Sequence, residues 1–385
     1  MDSSQARGRA QEAQQRLLKW LIESACPLWS TRGVDRTLGG FQELLDGTEP
    51  VRANRRMRVQ PRQVASFMGA SRLGWKGDAA DLAAHGMSYL FAKYRRSDGL
   101  FRTLIAPDGT PLDEQALLYD QVFVLLAFCE AQQVLSQAVA EARALRALLY
   151  KEFKRNGPGF ETGTKEGLPL SSNAHMHLFE ASLAWCETSD DPEWRTLADE
   201  IGELALSRFI DPASGVLREH FDSTWTPLPG VTGRLIEPGH HFEWAWLLLR
   251  WRGKTHSDVR KVAFRLIDIG ESHGIQNGVA VNTLLDDFSV HDACARLWPQ
   301  TERVKSAALA ARMTGEDRYW TMVRDAADSL SLYLQTPVPG VWYDRLMPYG
   351  RFIEEPAPAS TFYHLVGAVA EMTAASAGSP QSPGG

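Results

Sequence analysis

Apolar residues recur along the chain at the helical spacing of three and four, and the segments that carry them alternate between two kinds. In the first kind an apolar stripe opposes charged positions: Ala10 to Ala25, Asp81 to Lys93, Ala138 to Lys154, Asp258 to Ser272 and Asp317 to Leu334. That pattern predicts surface helices. In the second kind nearly every position is apolar: Gln115 to Ala131, Ala174 to Cys186, His240 to Trp251 and Thr361 to Met372. Such helices are buried on all sides. With weaker segments at Pro61 to Leu73, Pro192 to Phe209 and Pro299 to Ala311, about twelve helices are expected in an outer, inner, outer, inner order. Six pairs close a double ring, an all-α (α/α)6 barrel.

The connectors are lopsided. An inner helix passes to the next outer one through a few residues, at Glu187 to Asp191 and Arg252 to Ser257. The return connectors are long and carry turn and strand signals, as in SDGLFRTLIAPDGTPL, DPASGVLREHFDSTWTPLPG and PGVWYDRLMPYGRF. All the long loops, with short β-hairpins in them, are therefore expected at one end, over the starts of the inner helices, where a rigid scaffold usually presents function. Those helix starts carry ionisable residues that a core would not choose: Arg62, Asp120, His177, His240, Glu302 and His364, separated by 58, 57, 63, 62 and 62 residues. Spacing of that kind reads as one repeat of about sixty residues, so the six groups are expected at equivalent positions converging on one mouth. No linker divides the chain. A single domain over 1–374 is expected, followed by a flexible tail, 375–385, whose SAGSPQSPGG composition cannot pack.

Composition changes this picture little: 44% hydrophobic and 23% charged residues describe an ordinary globular chain with a large core. Most of the twelve Trp are expected in that core. A net charge of −6 gives no general attraction to nucleic acid or anionic lipid. Arg52, Arg55, Arg56, Arg58 and Arg62 form one local basic run, either a solvated surface or an anion-binding stretch. Cys26, Cys129, Cys186 and Cys294 are scattered, with neither zinc nor disulfide spacing. The N-terminus lacks an apolar signal core, and the longest apolar run, Val122 to Cys129, is too short to span a bilayer. A cytoplasmic protein, monomer or homodimer, with no nucleic-acid or membrane partner is expected.

Two segments repeat a pattern, His177-Leu-Phe-Glu180 and His240-His-Phe-Glu243, and a spacing of three puts each His and Glu on one helix face. Buried histidines held by carboxylates are the plain structural reading. A metal site on facing helices is a second, and glycoside hydrolysis by Glu180, Glu243 or Glu302 a third. Proton transfer beside a carbonyl is the fourth: histidine takes and returns a proton near neutrality without a cofactor. Under that reading His240 and His364 address one sugar, Glu180 and Glu243 orient the histidines, and Arg62 or Arg234 stabilises the enediolate oxygen. A scaffold that binds without turnover is the alternative that is not an enzyme.

The strings RVQPRQ, LYDQ, NAHMHLFEA, EPGHHFEWAWLL, LWPQTE and STFYHL, spread from Arg58 to Leu365, resemble the N-acylglucosamine 2-epimerase superfamily, most of all its mannose isomerase and sulfoquinovose isomerase branch. The resemblance implies an (α/α)6 barrel, no cofactor or metal, and a monosaccharide substrate. It implies acid/base roles for His240 and His364, with Arg62, Asn173, His177 and Glu243 lining the sugar site. Glu180, Arg234, Trp298, Glu302 and Asp120 complete the expected substrate-binding set. The implied reaction is D-mannose to D-fructose isomerisation, or D-lyxose to D-xylulose, through a cis-enediolate. A 2-epimerase of the N-acylglucosamine, mannose/glucose or cellobiose type, which shares the two histidines, is the alternative.

Overall fold

Apolarity on every side draws six helices into an inner ring, and the amphipathic ones wrap it. The computed structural model describes residues 3–165, 167–251 and 256–378. Its helices are α1 (Ser3–Trp20), α2 (Cys26–Thr31), α3 (Val59–Arg72), α4 (Ala79–Lys93), α5 (Leu118–Ala131), α6 (Ala138–Glu152), α7 (Ser172–Thr188), α8 (Pro192–Leu204), α9 (Pro238–Arg250), α10 (His256–Gly274), α11 (Leu297–Thr314), α12 (Asp317–Tyr333) and α13 (Phe362–Ala377). α1 continues into α2 through a π turn at Leu21–Ala25, just ahead of Pro27, which has no N–H to give to the carbonyl four residues back. Counted as one rod, they leave twelve long helices among the described residues. The first is longer at both ends than the apolar stripe predicted.

Helices α3, α5, α7, α9, α11 and α13 pack each on the next, and α13 returns to α3. Outside them run α4, α6, α8, α10, α12 and α1. Side-chain caps fix several starts: Asp78, Ser171 and Asp191 accept N–H groups of α4, α7 and α8, and proline opens α8 and α9. One continuous core runs from Ala6 to Ala375 and holds ten of the twelve Trp. The last helix continues to Ala377, past the expected start of the tail, and 379–385 lie outside the described residues, as does most of the Arg252 to Ser257 connector. No helix among the described residues is long and apolar enough to cross a membrane.

The long loops all lie over the inner-helix starts and are stitched into a closed collar. Antiparallel pairs join each loop to its neighbours: Arg55–Arg56 to Leu104–Ile105, Leu170–Ser171 to His220–Phe221, Leu235–Ile236 to Thr283–Leu285, Ala295–Arg296 to Arg345–Leu346, and Ala357–Pro358 back to Leu44–Asp46. A single bridge from Leu117 to Gly163 closes the remaining gap.

Five of the inner helices also reach up to clamp the backbone of the loop before them. Gln60, Gln121 and Gln300 each accept an N–H from, and donate to the C=O of, one loop residue: Phe41, Phe101 and Ala280. In α7 and α9 an imidazole does this. His175 Nε2 accepts the Phe160 N–H and His241 Nε2 the Leu217 N–H, while each Nδ1 bonds the carbonyl four residues back. Burial lowers both imidazoles to a pKa of about 4, so they stay neutral and keep an acceptor nitrogen for the loop. At the start of α13 the place falls to Phe362, which stacks on Trp342.

Candidate active site

The clamps set the register of the repeat, and that register differs from the even spacing of charges in the sequence. Two residues beyond each clamp, and beyond Phe362 in α13, lie Arg62, Phe123, His177, Glu243, Glu302 and His364, and these form one closed ring. The Arg62 guanidinium lies 4.0 Å from the Phe123 ring centre, which is 4.7 Å from that of His177. His177 Nδ1 is 3.8 Å from Glu243. Glu243, Glu302 and His364 bring their polar atoms within 4.8 Å of one another, and Arg62 returns to the Ser360 carbonyl beside α13. Asp120 and His240 are not members of this level. Each precedes it by three residues, one helical turn nearer the mouth, so equal spacing along the chain did not mean equivalent positions.

His364 donates from Nδ1 to Glu302 at 2.8 Å, and the other oxygen of Glu302 forms an ion pair with Lys305 Nζ at 2.7 Å. Burial lowers the His364 pKa, and Arg62 and Lys305 add to the lowering against the pull of Glu302. This ring is neutral near pH 7. Lys305, which sequence reading missed, is fully enclosed in the barrel floor beneath Glu180, Glu243 and Glu302, with Trp246 beside it at 3.8 Å. Its spacing of three from Glu302 was the available signal.

His240 is held differently. Its Nδ1 donates to Glu219 at 2.9 Å and lies 3.7 Å from Glu237; Ser172 donates to the same Glu219 oxygen. Burial alone would strip its proton, but Glu219 and Glu237, with Glu243 behind them, outweigh burial and hold the pKa at about 10. Glu219 is a loop residue brought to α9 by the pairing of His220–Phe221 with Leu170–Ser171. Glu243, expected to orient His240, does not; it belongs to the ring below. Glu180 does hold its histidine: His177 donates to it at 3.0 Å, and Tyr363 donates to its other oxygen.

Both histidines line a cavity of about 510 Å³ at the collar end of the barrel, with Nδ1 held by a carboxylate in each, and both flank the Trp298 indole, at 5.1 and 6.0 Å between ring centres. Gly239 permits this, since a Cβ there would lie 2.6 Å from the indole. Arg62, Asn173, His177, Glu237, Glu243 and Thr361 share the wall with Arg56, Arg58, Arg296 and Tyr119. Four buried wall atoms have no hydrogen-bond partner among the described residues: Arg58 Nε, Arg62 Nε, Asn173 Oδ1 and Glu243 Oε1. Burial, with Glu302 nearby, pushes the Glu243 carboxyl well above its ordinary range, against the pull of Lys305 and His240.

The other expected residues stand behind the wall or away from it. Glu180 and Glu302 support histidines, and Asp120, wholly buried, receives Thr103 and faces Arg58 at 3.5 Å. Arg234 is placed outside: it pairs with Asp286 and Asp287 at 2.8 and 2.7 Å on the surface, because its loop bends back toward the 283–287 turn. The enediolate donor expected from Arg62 or Arg234 is therefore available only from Arg62. Three groups, His177/Glu180/Glu243, Glu219/Glu237/His240 and Glu243/Glu302/His364, have spacing that suits a metal ion. Lys305 already supplies one positive charge to Glu180, Glu243 and Glu302.

Two histidines of contrasting pKa on one indole, in a polar cavity of sugar size at the loop end of an (α/α)6 barrel, define a sugar-transforming barrel enzyme. Residues 39–368 match the N-acylglucosamine 2-epimerase (GlcNAc 2-epimerase) family, and the chain belongs to it. It is 47% identical to a mannose-6-phosphate isomerase of Rhizobium meliloti (strain 1021), covering 92% of this chain and 95% of that one. It is 26% identical to a D-mannose isomerase of Thermobifida fusca over 70% and 72% of the two chains. The fold matches cellobiose 2-epimerase from Spirochaeta thermophila DSM 6192 with a TM-score of 0.85 at 21% identity, over 95% and 97% of the chains. The protein is a sugar isomerase of this family, similar to the mannose isomerases.

Proposed function

We propose that the cavity converts a mannose-configured aldose into the corresponding 2-ketose, fructose or its derivative, by proton transfer through a cis-enediol. The observation that carries this reading is two histidines lining one cavity on either side of Trp298, one with its pKa lowered and the other with its pKa raised: a neutral imidazole is a base, an imidazolium an acid. His364 takes the proton from C2 of the open-chain aldose while His240 gives its proton to O1, and an enediol forms. His240 then takes the proton from O2 as His364 returns one to C1, giving the ketose and restoring both side chains. Arg62 stabilises charge that develops on oxygen, and Glu243 and Asn173 offer a donor and an acceptor to the sugar hydroxyls. Support comes from the relatives: one is named for mannose 6-phosphate and another for D-mannose, substrates that share this reaction at C1 and C2.

Incubation of mannose, free or 6-phosphorylated, in deuterated water tests it. Ketose carrying deuterium at C1 is the expected product. Glucose with deuterium at C2 and no ketose would make the enzyme a 2-epimerase, and absence of exchange at both carbons would remove proton transfer altogether.

A further inference from the structure

We propose that the wall formed by Arg56 and Arg58 is an anion subsite that holds a phosphate monoester on the end of the sugar remote from the carbonyl. The proposal rests on the isomerase reading above and names its substrate class.

The placement follows from the chain. Arg55–Arg56 is a strand paired with Leu104–Ile105, and successive side chains of a strand point to opposite sides. Arg55 turns into the core, where Asp35 and the Gly39 carbonyl hold it. Arg56 turns to the cavity. Two residues on, Arg58 stands at the entrance of α3 and faces the same space. Each is tethered from behind by one acidic residue and retains unused donors. Glu43, 5% exposed, takes Arg56 Nε, and both Nη groups of Arg56 have no hydrogen-bond partner among the described residues. Asp120 stands 3.5 Å from one Nη of Arg58 without a hydrogen bond, and Arg58 Nε is buried and unpartnered. Arg62, 5% exposed, also has an unpartnered Nε. Arg58 and Arg62 lie 5.1 and 5.7 Å from the ring centre of one residue, Tyr119, and the Asp120 carboxyl feels the positive charge of Arg58, Arg62 and Arg56 together.

Charge on the rest of the wall does not cancel them. Its two carboxyl groups are Glu243, pushed well above its ordinary range, and Glu237, pushed up and faced by the His240 imidazolium. A neutral hexose asks for one cation at the enediolate oxygen, and Arg62 meets that need. The two further guanidinium groups, which line the same space and keep unused N–H donors, suit the oxygens of a phosphate dianion. They also stand in the repeat containing α3, across the ring from the repeat containing His240. Arg58 precedes Arg62 by four residues, one helical turn nearer the mouth, so a sugar whose reacting end lies at Arg62 and His364 has room to extend its far end upward toward Arg58 and Arg56.

The experiment compares kcat/KM for mannose, mannose 6-phosphate and mannuronate, with inorganic phosphate as a competing anion. The intact enzyme is expected to favour the phosphate ester over both others, by roughly 100-fold over mannose, with phosphate competing against it. Arg58→Met and Arg56→Met should each cut the ratio of phosphorylated to free substrate by roughly 10- to 100-fold, and Arg58→Lys should restore part of it. Calorimetric binding of mannose 6-phosphate, which needs no turnover, should weaken in parallel. Preference for free mannose or for the uronate, or a ratio that survives both Met variants, overturns the subsite and leaves the isomerase reading standing. Tight binding of the phosphate ester that depends on Arg58 but yields no ketose would keep the subsite and sink the isomerase reading.

Discussion

The His240 corner and the His364 corner are built alike and behave oppositely. In each, an inner-helix imidazole is buried, donates Nδ1 to a carboxylate at 2.9 or 2.8 Å, and lies against Trp298. Yet His240 is raised to about 10 and His364 is lowered. What differs is the next layer of charge. Behind Glu302 stands Lys305, with Arg62 nearby, whereas Glu219 has Glu237 for company and a serine for support. Burial penalises the charged ring in both places, and only where Glu219 and Glu237 together outweigh that penalty does the proton stay. Acid and base are thus assigned by the charges that surround each ring, some in the cavity wall and some behind it, which is how one residue type serves two roles at one pH.

The largest break in this symmetry is expected from Glu219→Gln, which keeps the hydrogen bond and removes the charge. With burial less opposed, His240 should lose its proton far below 10. The alkaline limb of kcat/KM, set near 10 in the intact enzyme, should move down by several pH steps, lowering activity at pH 9 by roughly 100-fold. An unmoved limb would refute the assignment of His240 as the acid. Lys305→Met acts on the other corner. The intact enzyme should keep its acid limb below the ordinary histidine value of 6.5 because His364 is lowered, and loss of the ammonium should move that limb upward. Lys305→Arg should hold it in place, which separates a charge effect from damage to the floor.

Gly239→Ala probes the surface the two corners share. A methyl group 2.6 Å from the indole forces Trp298 aside, and kcat is expected to fall by roughly 10-fold with both limbs unshifted. The smallest effect is expected from prolonged dialysis against EDTA. If Lys305 provides the charge that an ion would otherwise bring to the three carboxylates, activity should be unchanged, and loss restored by added Zn2+ or Mn2+ would place a metal among them.

Much of this was legible along the chain. The alternation of amphipathic and wholly apolar segments, the short and long connectors, and Pro, Ser or Gly at inner-helix starts are local signals, written within a few turns of the residues they govern. They suffice for twelve helices in two rings with the loops at one end. His240, His364, Arg62, Asn173, His177, Glu243 and Trp298 stand in the wall because each lies in the first turns of an inner helix, where that arrangement must bring them.

Register was not local. The even spacing of six ionisable residues paired His177 with His240, but the clamps pair His175 with His241, and so move Phe123 and Glu243 into the ring and His240 one turn up. Nor was partnership: Glu219 comes from a loop whose position depends on a two-residue strand pairing, and Arg234 leaves the site because Asp286 and Asp287 capture it. The sequence by itself determined which segments are helical, which are buried, and at which end the chemistry gathers, because hydrophobic period is a property of neighbours in the chain. Only the tertiary structure decided which histidine holds its proton, because that depends on burial and on charges contributed by separate loops and helices a few ångströms apart, distances that exist only once the ring has closed.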